Sequence, residues 1–134
     1  MPQGNVLIVE DDDSIRSLLI DYLKEHGNVT VEGARDGVDA LHHVSTKNYA
    51  AVILDLMMPY MTGIDFLDSL SAMMSDPSVK GVDDLPAVIV ITGASPEQIP
   101  NSAVQERFPT MVRRVFRKPL DVGELARCVE ALLG

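Results

Sequence analysis

Two rhythms alternate along this chain: short unbroken apolar runs, and stretches in which apolar positions recur every three or four residues. The first run, NVLIVE at residues 5–10, predicts a buried strand. Ile15, Leu18, Leu19, Tyr22 and Leu23 then stand at helical spacing, and Gly27 marks that helix's end. VTVEGA at 29–34 is a weaker strand with polar residues interleaved, and Asp36 caps a short helix over 37–46. AVILD at 51–55 is a third strand, and Ile64, Leu67, Leu70 and Met74 predict a third helix. SDPSVKGVDDLP at 75–86 is rich in turn residues and reads as a long exposed loop. AVIVIT at 87–92 is a fourth strand. Ser95, Pro96 and Gln98 make a helix start, but Pro100 follows too soon for a regular helix to pass through it. The expectation for 96–107 is therefore a broken or displaced helix. MVRRVFR at 111–117 is a fifth strand. Asp121 and Glu124 then form a capping box, and Val122, Leu125, Ala126, Val129, Leu132 and Leu133 give the closing helix.

A strand followed by a helix, five times over, implies a parallel sheet covered on both faces. Strands one, three and four are apolar throughout, as interior strands are. Strands two and five carry Thr30, Glu32, Arg113 and Arg114, as edge strands can. That partition matches a flavodoxin-like, doubly wound sheet of order 2-1-3-4-5. The 134 residues fit one domain, 1–134, with no internal repeat, linker or low-complexity segment.

The totals exclude several roles. A net charge of −9 argues against direct nucleic-acid binding and against an anionic membrane surface. No apolar run approaches a membrane span, and the N-terminus lacks the basic segment of a signal peptide. The single cysteine, Cys128, permits no internal disulfide and fits a reducing, cytoplasmic compartment. Cys128 reads as a packed thiol, His42 and His43 as a solvated helix face, and the seven methionines as core filler for the most part.

In open α/β sheets, ligands bind at the carboxyl edge of the strands. Strand one brings Glu10, Asp11 and Asp12 to that edge, strand three Asp55, strand four Thr92 and strand five Lys118. Strands one and three are neighbours where the winding reverses, so their acids meet in a crevice. A like-charged pair at ~4 Å costs about 1 kcal/mol in water and about 4 at an effective dielectric of 20. A hard dication relieves that repulsion, and Mg²⁺ is the obvious one, needing only one or two carboxylates plus waters and a phosphate. A carboxylate can attack phosphorus to give an aspartyl phosphate. Mg²⁺, Lys118 and the Thr92 hydroxyl can each take a phosphoryl oxygen. Asp12 and Asp13 suit helix capping as well as they suit metal ligation.

These stretches resemble the receiver domain of two-component response regulators, over essentially the whole chain. VLIVEDDDSIR is similar to the family's acidic pocket, and DLMMPYMTG to its phosphoacceptor motif, with Pro four and Gly eight residues after the Asp. VIVITGA resembles the strand with the switch hydroxyl, and FRKPL the Lys-Pro signature. The resemblance implies that Asp55 accepts the phosphoryl group. It implies Mg²⁺ held by Asp11, Asp55, the Met57 carbonyl, and Glu10 directly or through water. Thr92 and Lys118 would hold the phosphoryl group, and the Lys118–Pro119 peptide would be cis. The implied partners are a sensor histidine kinase or phosphotransfer protein and a downstream effector. A second copy, through the face of the fourth helix, fifth strand and fifth helix, is a further implied contact. Activity would be limited to self-phosphorylation and slow autodephosphorylation. The chain shows no output domain, so it reads as a stand-alone regulator, a phosphorelay intermediate or a receiver excised from a longer protein.

Two features depart from the family pattern. The 75–86 loop is longer than most receivers carry. Receivers also place tyrosine or phenylalanine three residues before the lysine, where this chain has Val115; Phe116, one residue later, should face the other side of its strand. Two rivals stand beside the receiver reading. A haloacid dehalogenase-type phosphatase also uses a strand-end Asp, but needs a second Asp where this chain has Met57. A degenerate receiver would bind partners without phosphorylation, against which Glu10, Asp11, Thr92 and Lys118 all weigh.

Overall fold

A computed structural model describes residues 4–26, 29–58, 60–76 and 86–133. The elements alternate as expected: β1 (Asn5–Val9), α1 (Asp13–His26), β2 (Thr30–Ala34), α2 (Gly37–Thr46), β3 (Ala51–Asp55), α3 (Gly63–Ser75), β4 (Ala87–Thr92), α4 (Asn101–Gln105), β5 (Val112–Arg117) and α5 (Val122–Leu133). All neighbouring strands pair in parallel, in the order β2-β1-β3-β4-β5. The turn residues Gly27 and Pro59, and residues 77–85 of the long loop, lie outside the described residues.

Strand alternation sorts the interior into two layers. Leu7, Val9, Val52, Leu54, Val88 and Val90 point to one face, where Ala40 and Val44 of α2 and Phe66, Leu67 and Leu70 of α3 meet them. Val6, Ile8, Ile53, Ile89 and Ile91 point to the other, against Leu19 and Leu23 of α1 and Leu125 and Val129 of α5. Each interior strand is buried on both sides, so its sequence is apolar without interruption. Within α1, Leu19 and Leu23 carry the packing, whereas Leu18 is 57% exposed.

The caps follow the sequence in most places. Asp36 Oδ1 accepts from the Asp39 N–H at 2.8 Å, Asp12 Oδ1 from the Ile15 N–H at 2.9 Å, and Asp121 Oδ1 from the Glu124 N–H at 3.0 Å. Asp12 is thus the cap of α1, while Asp13 pairs with Arg16. Between β4 and β5 the expected break is present. Ser95 and Gln98 exchange both capping-box bonds, at 3.0 and 3.3 Å, yet only one turn forms before Pro100. The helix proper, α4, begins after that proline and is five residues long. β5 carries a register shift: Val112 pairs with Val88, but Arg114 pairs with Ile89, leaving Arg113 as an extra residue. Beyond this bulge Val115 packs on the α2–α3 side and Phe116 is buried on the α1–α5 side.

Candidate functional site

Four strands deliver the site. β3 ends on Asp55, and the Leu56 N–H donates to the Ile91 carbonyl at 3.0 Å, so the acid sits where the sheet gives way to loop. Gly63 begins α3 against this strand end. Its N–H donates to the Leu56 carbonyl at 3.0 Å, and a Cβ there would lie 2.7 Å from Leu56 Cα. Only glycine lets α3 approach so closely.

One residue past β1, the Glu10 N–H extends the ladder to the Ala34 carbonyl at 3.0 Å and turns the side chain into the crevice. Glu10 and Asp55 are each 2% exposed, and Thr92 is fully buried. Asp11 is exposed beside them. One carboxylate oxygen from each of Glu10, Asp11 and Asp55 lies within 4.8 Å of the others. The Lys118 ammonium reaches across from β5, 3.2 Å from Asp55 Oδ2 and 3.5 Å from Glu10 Oε1. The other Asp55 oxygen accepts from the Met57 N–H at 3.0 Å. Met57 itself is 60% exposed. The Lys118–Pro119 peptide is cis.

The electrostatics follow from this crowding. Burial pushes the Glu10 carboxyl up to about 7, opposed by the Asp12 N–H it accepts and reinforced by the charge of Asp55. Burial alone would lower the Lys118 ammonium, but the carboxylates of Asp55 and Glu10 outweigh it and hold the group above its ordinary value. One ammonium thus pairs with two carboxylates, and a third, that of Asp11, lies beside them. An all-oxygen donor set with surplus negative charge fits a hard dication such as Mg²⁺.

The structure therefore gathers Glu10, Asp11, Asp55 and Lys118 at one edge. Thr92 stands at the end of β4 beside them; its hydroxyl accepts from the Ala94 N–H at 3.0 Å. A cleft of about 230 Å³ adjoins the acids between α1 and the β5–α5 junction. Ile15, Leu18, Ile91 and Pro119 line it with Glu10 and Lys118, so apolar surface reaches the rim of the charged site.

Sequence reasoning passed over Arg117. Its Nη1 donates to the Ala94 carbonyl at 2.9 Å and its Nη2 to the Ile99 carbonyl at 2.8 Å. The available signal was a strand-end arginine beside a segment that prolines keep from satisfying its own carbonyls.

Among the described residues no helix is long and apolar enough to cross a membrane. A family model described as the response regulator receiver domain matches residues 6–130. A probable chemotaxis protein CheY of Rhizobium etli is 30% identical over 129 residues, covering 96% of this chain and 92% of that protein. A CheY-like receiver domain from Methylobacillus flagellatus superposes with a TM-score of 0.78 at 22% identity, covering 98% of this chain and 99% of that one. The response regulator TrrA of Thermotoga maritima, solved in complex with Mg²⁺-BeF, gives a TM-score of 0.74 at 26% identity, covering 96% and 98%.

Proposed function

Because the chain belongs to the response regulator receiver domain family, a family of signalling domains, we propose that Asp55 is its phosphoacceptor and that Glu10, Asp11, Thr92 and Lys118 serve that acid. The observation that carries this reading is the buried Asp55 carboxylate, 3.2 Å from the Lys118 ammonium and within the Glu10–Asp11–Asp55 donor cluster.

A carboxylate oxygen of Asp55 attacks the phosphorus of a phosphohistidine. The P–O bond forms as the P–N bond breaks, and the imidazole leaves with the electron pair. Lys118 already faces the acceptor, so its charge is in place for a phosphoryl oxygen without reorganisation. Thr92 presents a buried hydroxyl at the same edge, where it can donate to a second oxygen while still accepting from Ala94. Mg²⁺, held by Asp11, Asp55, the Met57 carbonyl, and Glu10 directly or through water, would offset the charge that accumulates on the phosphoryl oxygens. The donor is a histidine kinase or phosphotransfer protein, and a downstream effector reads the altered surface. Slow hydrolysis of the acyl phosphate resets the domain. The reading includes a homodimer through the α4–β5–α5 face, where exposed Arg113, Arg114 and Glu124 offer charges of both signs. A cytoplasmic setting suits a chain whose one cysteine is a buried free thiol.

Incubation with acetyl phosphate and Mg²⁺, followed by intact-mass measurement, tests the assignment. The parent should gain one phosphoryl group and Asp55→Ala none. Equal labelling of the two would remove Asp55 from its role.

A further inference from the structure

A receiver must connect its acceptor to a surface, and here no aromatic ring stands three residues before the lysine. Val115 is stiff at χ1. Phe116 is buried on the α1–α5 side, with the Arg114 guanidinium carbon 4.6 Å from its ring centroid. The next residue along β5 makes a different kind of connection. Arg117 holds two carbonyls at once, those of Ala94 and Ile99. Ala94 is itself tied to the site, since its N–H donates to the Thr92 hydroxyl at 3.0 Å. A continuous line of hydrogen bonds therefore runs from Thr92 through the Ala94 residue and the Arg117 guanidinium to Ile99.

The segment this line crosses can shift. Residues 93–100 hold only the single turn at Ser95–Ile99. Gly93 adds backbone freedom at one end, and Pro100 blocks helical continuation at the other. Beyond it the chain is fastened: Val104 and Phe108 are buried, and Arg107 makes bonds of 2.8 and 2.9 Å to the two Asp68 oxygens on α3. The movable part is thus bounded by Thr92 and α4, and one planar fork grips it at both ends.

We propose that Arg117 is the coupling residue of this receiver, making residues 94–99 move as one block with Thr92. The inference rests on the acceptor reading above. When the Thr92 hydroxyl turns toward a phosphoryl oxygen, Ala94 follows through its N–H, and its carbonyl shifts against Arg117. The two donor groups belong to one rigid guanidinium, so a displacement at Ala94 is passed to Ile99. Without that fork, the pliable backbone around Gly93 absorbs the movement.

The test uses the full chain, beryllofluoride with Mg²⁺ as probe, and backbone amide NMR. In the parent, the amides of Met57, Ala94, Gln98 and Ile99 should shift together as the probe is added. In Arg117→Met, which keeps the stem and loses both donors, Met57 should still shift while the changes at Gln98 and Ile99 are lost. Arg117→Lys keeps the charge but replaces the rigid planar fork with a single rotating ammonium on a shorter stem, and should lose them as well; it also serves if the methionine variant fails to fold. Without probe, amide exchange at Gln98 and Ile99 should accelerate about tenfold in both variants, as expected for losing a charge-assisted tie. Parent-like shifts at Gln98 and Ile99 in the variants would overturn the coupling role. No response at Met57 in the parent would instead overturn the acceptor reading, and the coupling with it.

Discussion

Glu10 gives the domain a stability that falls as pH rises. Its carboxyl is 2% exposed at the end of β1. Burial there raises it from 4.5 to about 7, and the charge of Asp55 adds to the rise against the opposing Asp12 N–H. In the unfolded chain the same group titrates at its ordinary value. Between those two values the folded protein keeps a proton that the unfolded protein has released. Stability then decreases with rising pH, because the native state binds more protons. The contribution is complete below the unfolded value and gone above the folded one. At 1.36 kcal/mol per pH unit the full span amounts to about 3 kcal/mol. Urea unfolding in EDTA from about pH 5 to about pH 8 should show the parent losing about 2 to 3 kcal/mol to this group. Glu10→Gln should lack that loss. Mg²⁺ favours the charged carboxylates and should restore the parent's stability at the alkaline end. Equal pH slopes in the parent and Glu10→Gln would refute the reasoning.

Three further outcomes follow from the same edge of the sheet. Asp11→Ala should weaken Mg²⁺ binding measured by calorimetry, since it removes the exposed member of the three-carboxylate set; unchanged affinity would remove Asp11 from that set. Gly63→Ala should destabilise by about 1 to 3 kcal/mol in urea, because its Cβ would meet Leu56 Cα at 2.7 Å and the Asp55 carbonyl at 3.0 Å. Parent-like stability there would mean that α3 can move back at no cost. Met57→Asn and Ala94→Glu should shorten the lifetime of the aspartyl phosphate in a phosphate-release assay, since neither parent side chain can orient a water; hydrolysis no faster than the parent's would contradict this.

The fold was legible because a doubly wound sheet writes its burial into the strands. Leu54 and Ile53 point to opposite layers, and both layers are covered, so β3 has no polar position before Asp55. Edge position was legible for the converse reason: Thr30 and Arg113 keep an exposed side. Local pattern could not show how two strands slip past each other. The bulge at Arg113 depends on β5 meeting β4, and no property of MVRRVFR by itself selects the extra residue. The exposure of Leu18 is similar. Helical spacing places it on the stripe with Leu19, but α5 and the sheet cover only part of that stripe.

The gathering of the site residues was legible through one regularity, that a parallel strand ends its buried run where a ligand-binding edge begins. Glu10, Asp55, Thr92 and Lys118 each stand at or just beyond such an end. Arg117 escaped because what it grips at Ala94 and Ile99 is backbone. A carbonyl has no letter in the sequence, and Ala94 and Ile99 advertise nothing about the bonds they accept. The clue lay in a conflict of local signals: Ser95 and Gln98 start a helix that Pro100 forbids. Such a segment leaves carbonyls that no helix uses, and the half-buried ones at Ala94 and Ile99 find a partner elsewhere. The nearest strand end supplies a residue with several donors in one plane. In this chain, the feature that spoils the regular fourth helix is also the one that gives an arginine two points to hold.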